Sequence, residues 1–444
     1  MENRLGRNYG FLSLLKFSLP TIIMMVFTSL YMIVDGMFVT WLIGTTALAA
    51  VNIVFPIVSI VIAVGVMLGT GGSAVVARKM GEKKHKEACQ DFTRIVMVGV
   101  LIGIMITVAG LLFLKPILLF LGANDATYQL CVEYITVLLG FTVFAVLQMV
   151  FQSFFVAAGK PDLGLAVTIL GGLANIVLDY LFIAKFHMGV AGVAWATGIG
   201  YTIPAITGLI WFSVSQKKVL HFVKPVRNKR VLFETFTNGS SEMVTNLAGA
   251  IITLLFNIMM ARYLGEDGIA AITVVLYEEF ILTAIYLGYS SGIAPIISFN
   301  YGENNVPMLK RLFRISMAFL IASSIIGFFV VMIFTGQMVR VFVPEGSDVY
   351  MLAVHGFRLY GISLLFKGVN IFASSLFTAL SNGKVSAFLS LMRTFVFIAL
   401  GILFLPYVWE VNGIWLAVPI AEILSISISV FFFKKQFKTW NERK

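Results

Sequence analysis

The sequence predicts an all-α membrane protein with about twelve transmembrane helices, in two six-helix lobes related by pseudo-twofold symmetry along the membrane normal. Three observations carry that reading: an apolar composition, basic loops on alternate sides, and an internal repeat. Hydrophobic residues make up 59% of the 444 residues, charged residues 12%, and mean hydropathy is +0.96. An ordinary soluble domain has about 25% charged residues. Apolar runs of about 20 residues, enough to cross a bilayer as a helix, recur from end to end. The period-two alternation of an outer-membrane barrel is missing.

Taken in order, the runs place spans at roughly 12–40, 47–77, 93–120, 128–157, 162–184, 188–214, 233–263, 268–299, 310–336, 350–380, 385–408 and 411–433. Residues 1–16 are mildly basic and lead into the first run without a small-residue cleavage site. They read as the start of an uncleaved first span rather than a signal peptide. With both termini inside, inner segments hold 25 of the 32 basic residues and outer segments hold 4. That excess sets the orientation and favours an even number of spans.

Sliding the chain by 221 residues pairs Gly44 with Gly265, Ala49-Ala50 with Ala270-Ala271, and Gly71 with Gly292. It also pairs Gly81-Glu82 with Gly302-Glu303, Gly140 with Gly361, and Gly192 with Gly413. Six helices per period insert the halves in the same sense, as parallel repeats. The expected division is a lobe at 1–214, a basic cytoplasmic linker at 215–232 and a lobe at 233–444.

The net charge of +11 does not indicate nucleic acid, because the basic residues follow the topology. No GxxxxGK[ST] loop is present, so an ion gradient or passive flow must drive any transport. No Ser/His or metal constellation lies in the spans. An intramembrane enzyme is disfavoured, and no catalytic residue and no cofactor beyond a coupling ion are expected. Cys89 and Cys131 fall toward opposite faces, too far apart for a disulfide. The four histidines are scattered.

Carboxylates within spans include Asp35, Asp179, Glu242, Glu278, Glu279 and Glu422. A carboxylate at helix centre costs about 2.5–3.5 kcal/mol on insertion scales, so those present usually line an ion or proton path. Asn175 and Asp179 share a helix face at i, i+4, and Tyr31 sits one turn before Asp35. Asp179 lies near its helix end, so a headgroup-level role is the plain alternative. At the 221 offset Asp35 and Asp179 become Phe256 and Leu400. The repeat keeps the scaffold and drops these charges. Glu242 begins its span, where the helix dipole favours a carboxylate. Glu278 and Glu279 are adjacent, about 100° apart on a helix, so at least one is expected to face the cleft. Arg358, Lys367 and Arg393 are candidate partners, and structural ion pairs are the alternative reading. Gln148 and Gln152 share a face and either line the cleft or bond neighbouring helices.

Several stretches together resemble the multidrug and toxic compound extrusion (MATE) family. They are Phe17-Ser-Leu-Pro20 followed by Asp35-Gly36, Ala49-Ala50, and Ala157-Ala-Gly-Lys-Pro161. Asn175-Ile-Val-Leu-Asp179, Gly189-Val-Ala-Gly-Val-Ala-Trp-Ala-Thr197 and Gly265 to Ala271 complete the set. The resemblance covers nearly the whole chain and rests on order and spacing. It implies twelve helices, two lobes, and antiport of amphipathic organic cations against H⁺ or Na⁺. Carried over residue by residue, the cation-coupling site is Asp35, Asn175 and Asp179, with Tyr31 and Thr197 as neighbours; if the ion is Na⁺, the first three bind it. Substrate-cleft candidates are Gln148, Gln152, Glu242, Glu278, Glu279 and Arg393. Glu242 stands nearer its helix start than the family's seventh-span carboxylate. The resemblance implies a monomeric multidrug exporter of the cell (inner) membrane, with both termini cytoplasmic and with organic cations and the bilayer as partners. The alternative is a flippase for a lipid-linked saccharide, from the same superfamily.

Overall fold

A computed structural model describes residues 4–214, 219–226 and 228–442. Lys217, Lys218 and Arg227 of the expected linker, and Arg443 and Lys444, lie outside the described residues. Among the described residues every regular element is helical. Nine continuous helices are long and apolar enough to cross a bilayer, and two bent pairs each make one further span. One of the nine, Lys229–Gly302, has 74 residues. At 1.5 Å per residue it is roughly 110 Å long, more than three times the hydrocarbon thickness. Its backbone leaves helical geometry at Gly265 (φ 64°, ψ −145°), which divides it in two. The spans among the described residues therefore number twelve.

Span 1 is Phe11–Leu42, span 2 Thr45–Gly81 and span 3 His85–Leu112. Span 4 is Tyr128–Gly140 with Thr142–Ala157, bent by 55°. Span 5 is Pro161–Asp179, prolonged by a π-helical turn, Tyr180–Lys185. Span 6 is Gly189–Ser213. Spans 7 and 8 are the two parts of Lys229–Gly302 on either side of Gly265. Span 9 is Val306–Arg340, and span 10 is Asp348–Gly361 with Leu364–Ala379, bent by 54°. Span 11 runs from Gly383 to Phe404 through a π-helical turn, Met392–Val396, and span 12 is Pro406–Glu442.

Several boundaries differ from the sequence reading, among them the start of span 3, at His85 instead of 93. Span 3 stops at Leu112 instead of 120, and Leu114–Phe120 forms a separate short helix. Pro116 has no N–H to bond the Leu112 carbonyl four residues back and its ring crowds that carbonyl, so the first helix stops there. The polar stretch around Arg262, Glu266 and Asp267 stays helical except at Gly265. Span 12 runs past 433 to Glu442, because Phe433, Phe437 and Trp440 continue one buried face. The thiols of Cys89 and Cys131 are free, as the spacing predicted.

The repeat is visible in the packing. A Cβ on Gly81 would sit 2.0 Å from Phe299 O, and one on Gly302 would sit 2.0 Å from Arg78 O. Arg78 and Phe299 are themselves 221 residues apart, so these two contacts are one contact seen from both lobes. Likewise Gly71 meets Gly239, and their equivalents Gly292 and Ser18 meet in turn. The turns after the first span of each lobe both use a positive-φ glycine, Gly44 and Gly265. The bends of spans 4 and 10 fall at Phe141 and at Ile362-Ser363, again one period apart.

All these inter-lobe contacts lie at the end that carries the basic loops. Arg78 Nη2 bonds Glu234 Oε2 across the lobes at 2.7 Å. Arg311 Nη1 donates to Asn8 Oδ1 at 2.9 Å, and the N-terminal segment thereby reaches the second lobe. Toward the other end the lobes part. The first lobe there has its own core, built from Val39, Ala50, Val54, Tyr134, Leu138 and Val193 among others, all from one half. Gly36 and Gly249 face open space on the two sides.

Candidate functional site

Span 1 carries Asp35, and span 5 carries Asn175 and Asp179. Small residues let the two helices approach: a Cβ on Gly172 would meet Phe27 at 2.5 Å and Tyr31 at 3.3 Å. Asp179 is fully buried and Asn175 is 3% exposed. Asp35 is half-buried, but its Oδ1 is sealed from solvent. The two carboxyl groups lie within hydrogen-bonding reach of each other, and Asn175 reaches Asp35. Asn175 Nδ2 also lies 3.5 Å from Thr197 Oγ1 on span 6. Asp35 Oδ1, both Asp179 oxygens and Asn175 Oδ1 are buried without a hydrogen-bond partner among the described residues. Among the described residues no basic side chain acts on either carboxylate. Two carboxyl groups within reach of each other, with no basic side chain to balance them, form a place for a proton or a small cation.

Asp179 is the last α-helical residue before the π-helical turn of span 5. Such turns inside helices often mark functional positions. Sequence reasoning placed Asp35, Asn175, Asp179, Tyr31 and Thr197 together, and the structure brings these five side chains to one region. It adds two that were missed. Tyr134 on span 4 and Tyr201 on span 6 are close enough to Asp35 to interact electrostatically. Tyr201 follows Thr197 by four residues, which is a readable same-face signal. Tyr134 had no such signal.

The remaining candidates go elsewhere. Gln148 and Gln152 are buried inside the first lobe, and Gln152 Nε2 donates to Thr168 Oγ1 at 3.1 Å. That bond ties span 4 to span 5, the alternative reading, for Gln152; Gln148 Oε1 is buried without a partner among the described residues. Glu279 bonds Lys367 of span 10 and accepts from Thr283 Oγ1 at 2.5 Å. Lys367 also sits over the Tyr360 ring, 5.4 Å from its centroid. Arg393 Nη1 lies 3.3 Å from Glu422 Oε1, while Asn370 Nδ2 donates to Glu422 Oε2 at 2.7 Å. Glu279 and Arg393 are therefore members of buried second-lobe ion pairs. Glu278 is buried and has no ion pair among the described residues. Glu242 is close enough to Arg393 to feel its charge. In the second lobe Lys367 and Arg393 neutralise Glu279 and Glu422, whereas no basic side chain among the described residues is paired with Asp35 or Asp179 in the first. No group of three metal-ligating His, Cys, Asp or Glu residues occurs among the described residues.

A family model described as MatE matches residues 20–181 and 243–403. The multidrug export protein MepA of Staphylococcus haemolyticus is 24% identical over 434 residues, covering 98% of this chain and 94% of that protein. The outward-facing conformation of a multidrug resistance MATE family transporter of the MOP superfamily superposes with a TM-score of 0.91 at 21% identity, covering 98% of each chain. A MOP superfamily transporter from Pyrococcus furiosus, for which reverse polarity of the binding pocket suggests a different function, gives a TM-score of 0.90 at 22% identity, covering 96% of each chain. The family match takes in most of both lobes, and the chain belongs to the MATE family of multi-pass membrane transporters.

Proposed function

We propose that this chain exports amphipathic organic cations from the cell by antiport with H⁺ or Na⁺, and that Asp35, Asp179 and Asn175 hold the coupling ion. The observation that carries the reading is a fully buried and a half-buried carboxyl group within hydrogen-bonding reach of each other, with no basic group among the described residues acting on either. A proton between them removes their repulsion. A Na⁺ ion does the same with the carboxylates and Asn175 Oδ1 as hard oxygen donors. Similarity to multidrug export proteins supports drug-like substrates. The positive-inside rule supports cytoplasmic termini. On that orientation the lobes are closed toward the cytoplasm and parted toward the outside.

The coupling step follows from the geometry. An ion arriving from outside neutralises the pair and removes the reason for the pocket to stay hydrated. Span 1 has Pro20 inside it, which frees a backbone carbonyl and permits a hinge. Around that proline, Ser18 and Ile22 pack against Gly292 and Gly288 of span 8. Bending of span 1 is thereby felt at the lobe interface. Ion and substrate each weaken the other's binding, as linkage requires. The flippase reading needs free cations in the cleft to grip a pyrophosphate. Lys367 and Arg393 are committed to carboxylates, which counts against it.

The test is gradient-driven export by Asp35→Asn and Asp179→Asn, made separately in membranes where both variants are present and folded. Each is expected to abolish it. Near-normal export from either removes that residue from the mechanism.

A further inference from the structure

The two lobes treat one equivalent corner differently. In the first lobe the corner between spans 3 and 6 is covered by the connecting chain. Phe222 stacks on Phe92 with centroids 5.0 Å apart, and Leu220 is fully buried. Val223 N donates to Thr93 Oγ1 at 3.1 Å, and Arg94 Nη1 donates to Val226 O at 3.1 Å. The 221 offset carries Phe92 and Phe212 onto Phe313 and Phe433. The ring contact is kept, at 4.6 Å in the first lobe and 5.0 Å in the second. The seam between spans 9 and 12 is thus the same corner of the second lobe.

There span 12 continues as a helix, and Phe437 takes the ring position of Phe222, 4.8 Å from Phe313. Cations stand where the first lobe has neutral side chains. Lys310, Arg311, Arg314, Lys434 and Lys435 replace Cys89, Gln90, Thr93, Ser213 and Val214. Lys310 and Arg311 bond the neutral amides of Asn441 and Asn8 at 2.5 and 2.9 Å. Arg314, Lys434, Lys435 and Lys438 are exposed and have no ion-pair partner among the described residues. Glu442 is the sole carboxylate on these two helix ends. The lysines follow Phe431-Phe432-Phe433, where the apolar run ends, and Phe431 is 62% exposed. Cations and apolar surface therefore meet at headgroup depth.

We propose that the seam between spans 9 and 12 binds an anionic phospholipid, its phosphate held by Arg314, Lys434 and Lys438 and its acyl chains lying against Phe431. Basic residues between transmembrane helices on one face recognise such headgroups through charge, and their attraction falls off within a Debye length. The site exists only in the second lobe, because the connecting chain occupies its counterpart.

The probe is phosphatidylglycerol, titrated into purified protein in a neutral detergent, with the thermal midpoint as readout. Phosphatidylglycerol is expected to raise the midpoint by mass action, and phosphatidylcholine to leave it unchanged. At about fivefold per basic residue, Arg314→Gln/Lys434→Gln/Lys438→Gln should weaken the lipid's apparent affinity about 100-fold. A charge-matched control, Lys83→Gln/Lys86→Gln/Lys384→Gln, removes exposed cations elsewhere on the same face and should keep the full response. Inorganic phosphate at equal concentration should do nothing. Equal loss in the control means diffuse attraction and overturns the site. An equal response to phosphatidylcholine or to phosphate overturns the lipid assignment. If the triple variant melts early without lipid, Lys434→Gln and Lys438→Gln singly decide: loss of affinity upholds the seam, and none overturns it.

Discussion

Replacing Gly302 by alanine puts a methyl group where the other lobe's backbone already sits. The added Cβ falls 2.0 Å from Arg78 O, and ordinary contact begins near 3.4 Å. Spans 2 and 8 must then part by about 1.4 Å, the difference between those two distances. Backbone atoms lie on both sides, so no side chain can rotate away. Overpacking of this kind costs about 1–3 kcal/mol. As a bias on a two-state equilibrium, that is about 5- to 150-fold against the conformation closed at the basic end. Labels at Gly36→Cys on span 1 and Gly249→Cys on span 7 report the lobe separation away from that contact, because a Cβ at either position meets nothing within 4 Å. The native Cys89 and Cys131 are buried and do not compete for label. Double electron–electron resonance should then find a shorter label separation in Gly302→Ala. Gly81→Ala, whose Cβ would meet Phe299 O at the same 2.0 Å, should act alike. An unchanged distance distribution in both variants, or a shift in only one, would refute the reasoning about the shared contact.

Three further outcomes are expected. A topology reporter at the C-terminus or inserted within 219–226 should read cytoplasmic and one within 341–347 external; both on one side would break the orientation. Lys367→Met leaves Glu279 unpaired and should destabilise the protein by about 3–5 kcal/mol, with Lys367→Met/Glu279→Gln recovering most of it in thermal melts. Wild-type stability of the single variant would show that the pair does not tie spans 8 and 10. Asn175→Ala removes an amide that reaches Asp35: loss of its N–H from the charged carboxylate should tighten proton binding, and loss of its oxygen as a ligand should weaken Na⁺ binding, each by about 10- to 150-fold, the value of a hydrogen bond to a charged group. Unchanged affinity in an ion-binding titration would remove Asn175 from the site.

The architecture was legible because a bilayer imposes strong constraints on sequence. Length of apolar run, sides of basic residues and the 221 period all follow from solvation and insertion, which act locally. Asp35 and Asp179 stood out because a carboxylate in an apolar helix is costly unless it has a use. What escaped was set by three-dimensional packing. The bends of spans 4 and 10 contain no proline. At the first, Gly198 receives the Phe141 ring, with a Cβ position 2.2 Å from it. Tyr134 joins the carboxylates from a span whose sequence gives no hint of that direction. Lys367 and Arg393 were readable as candidate partners, but which glutamate each takes depends on neighbours far along the chain. The tilt of Gln152 toward Thr168 rather than the cleft was equally unreadable from a shared face alone.

The central claim is that the buried carboxyl pair of spans 1 and 5 is where ion and substrate compete. The direct measurement is binding of a fluorescent organic cation to the purified protein, with pH and Na⁺ varied separately, in wild type and in Asp35→Asn/Asp179→Asn. The account predicts that wild-type affinity falls either with acidification at fixed Na⁺ or with added Na⁺ at fixed pH, and that the double variant loses this response. Affinity that responds to neither ion, or that responds equally in the double variant, would contradict it.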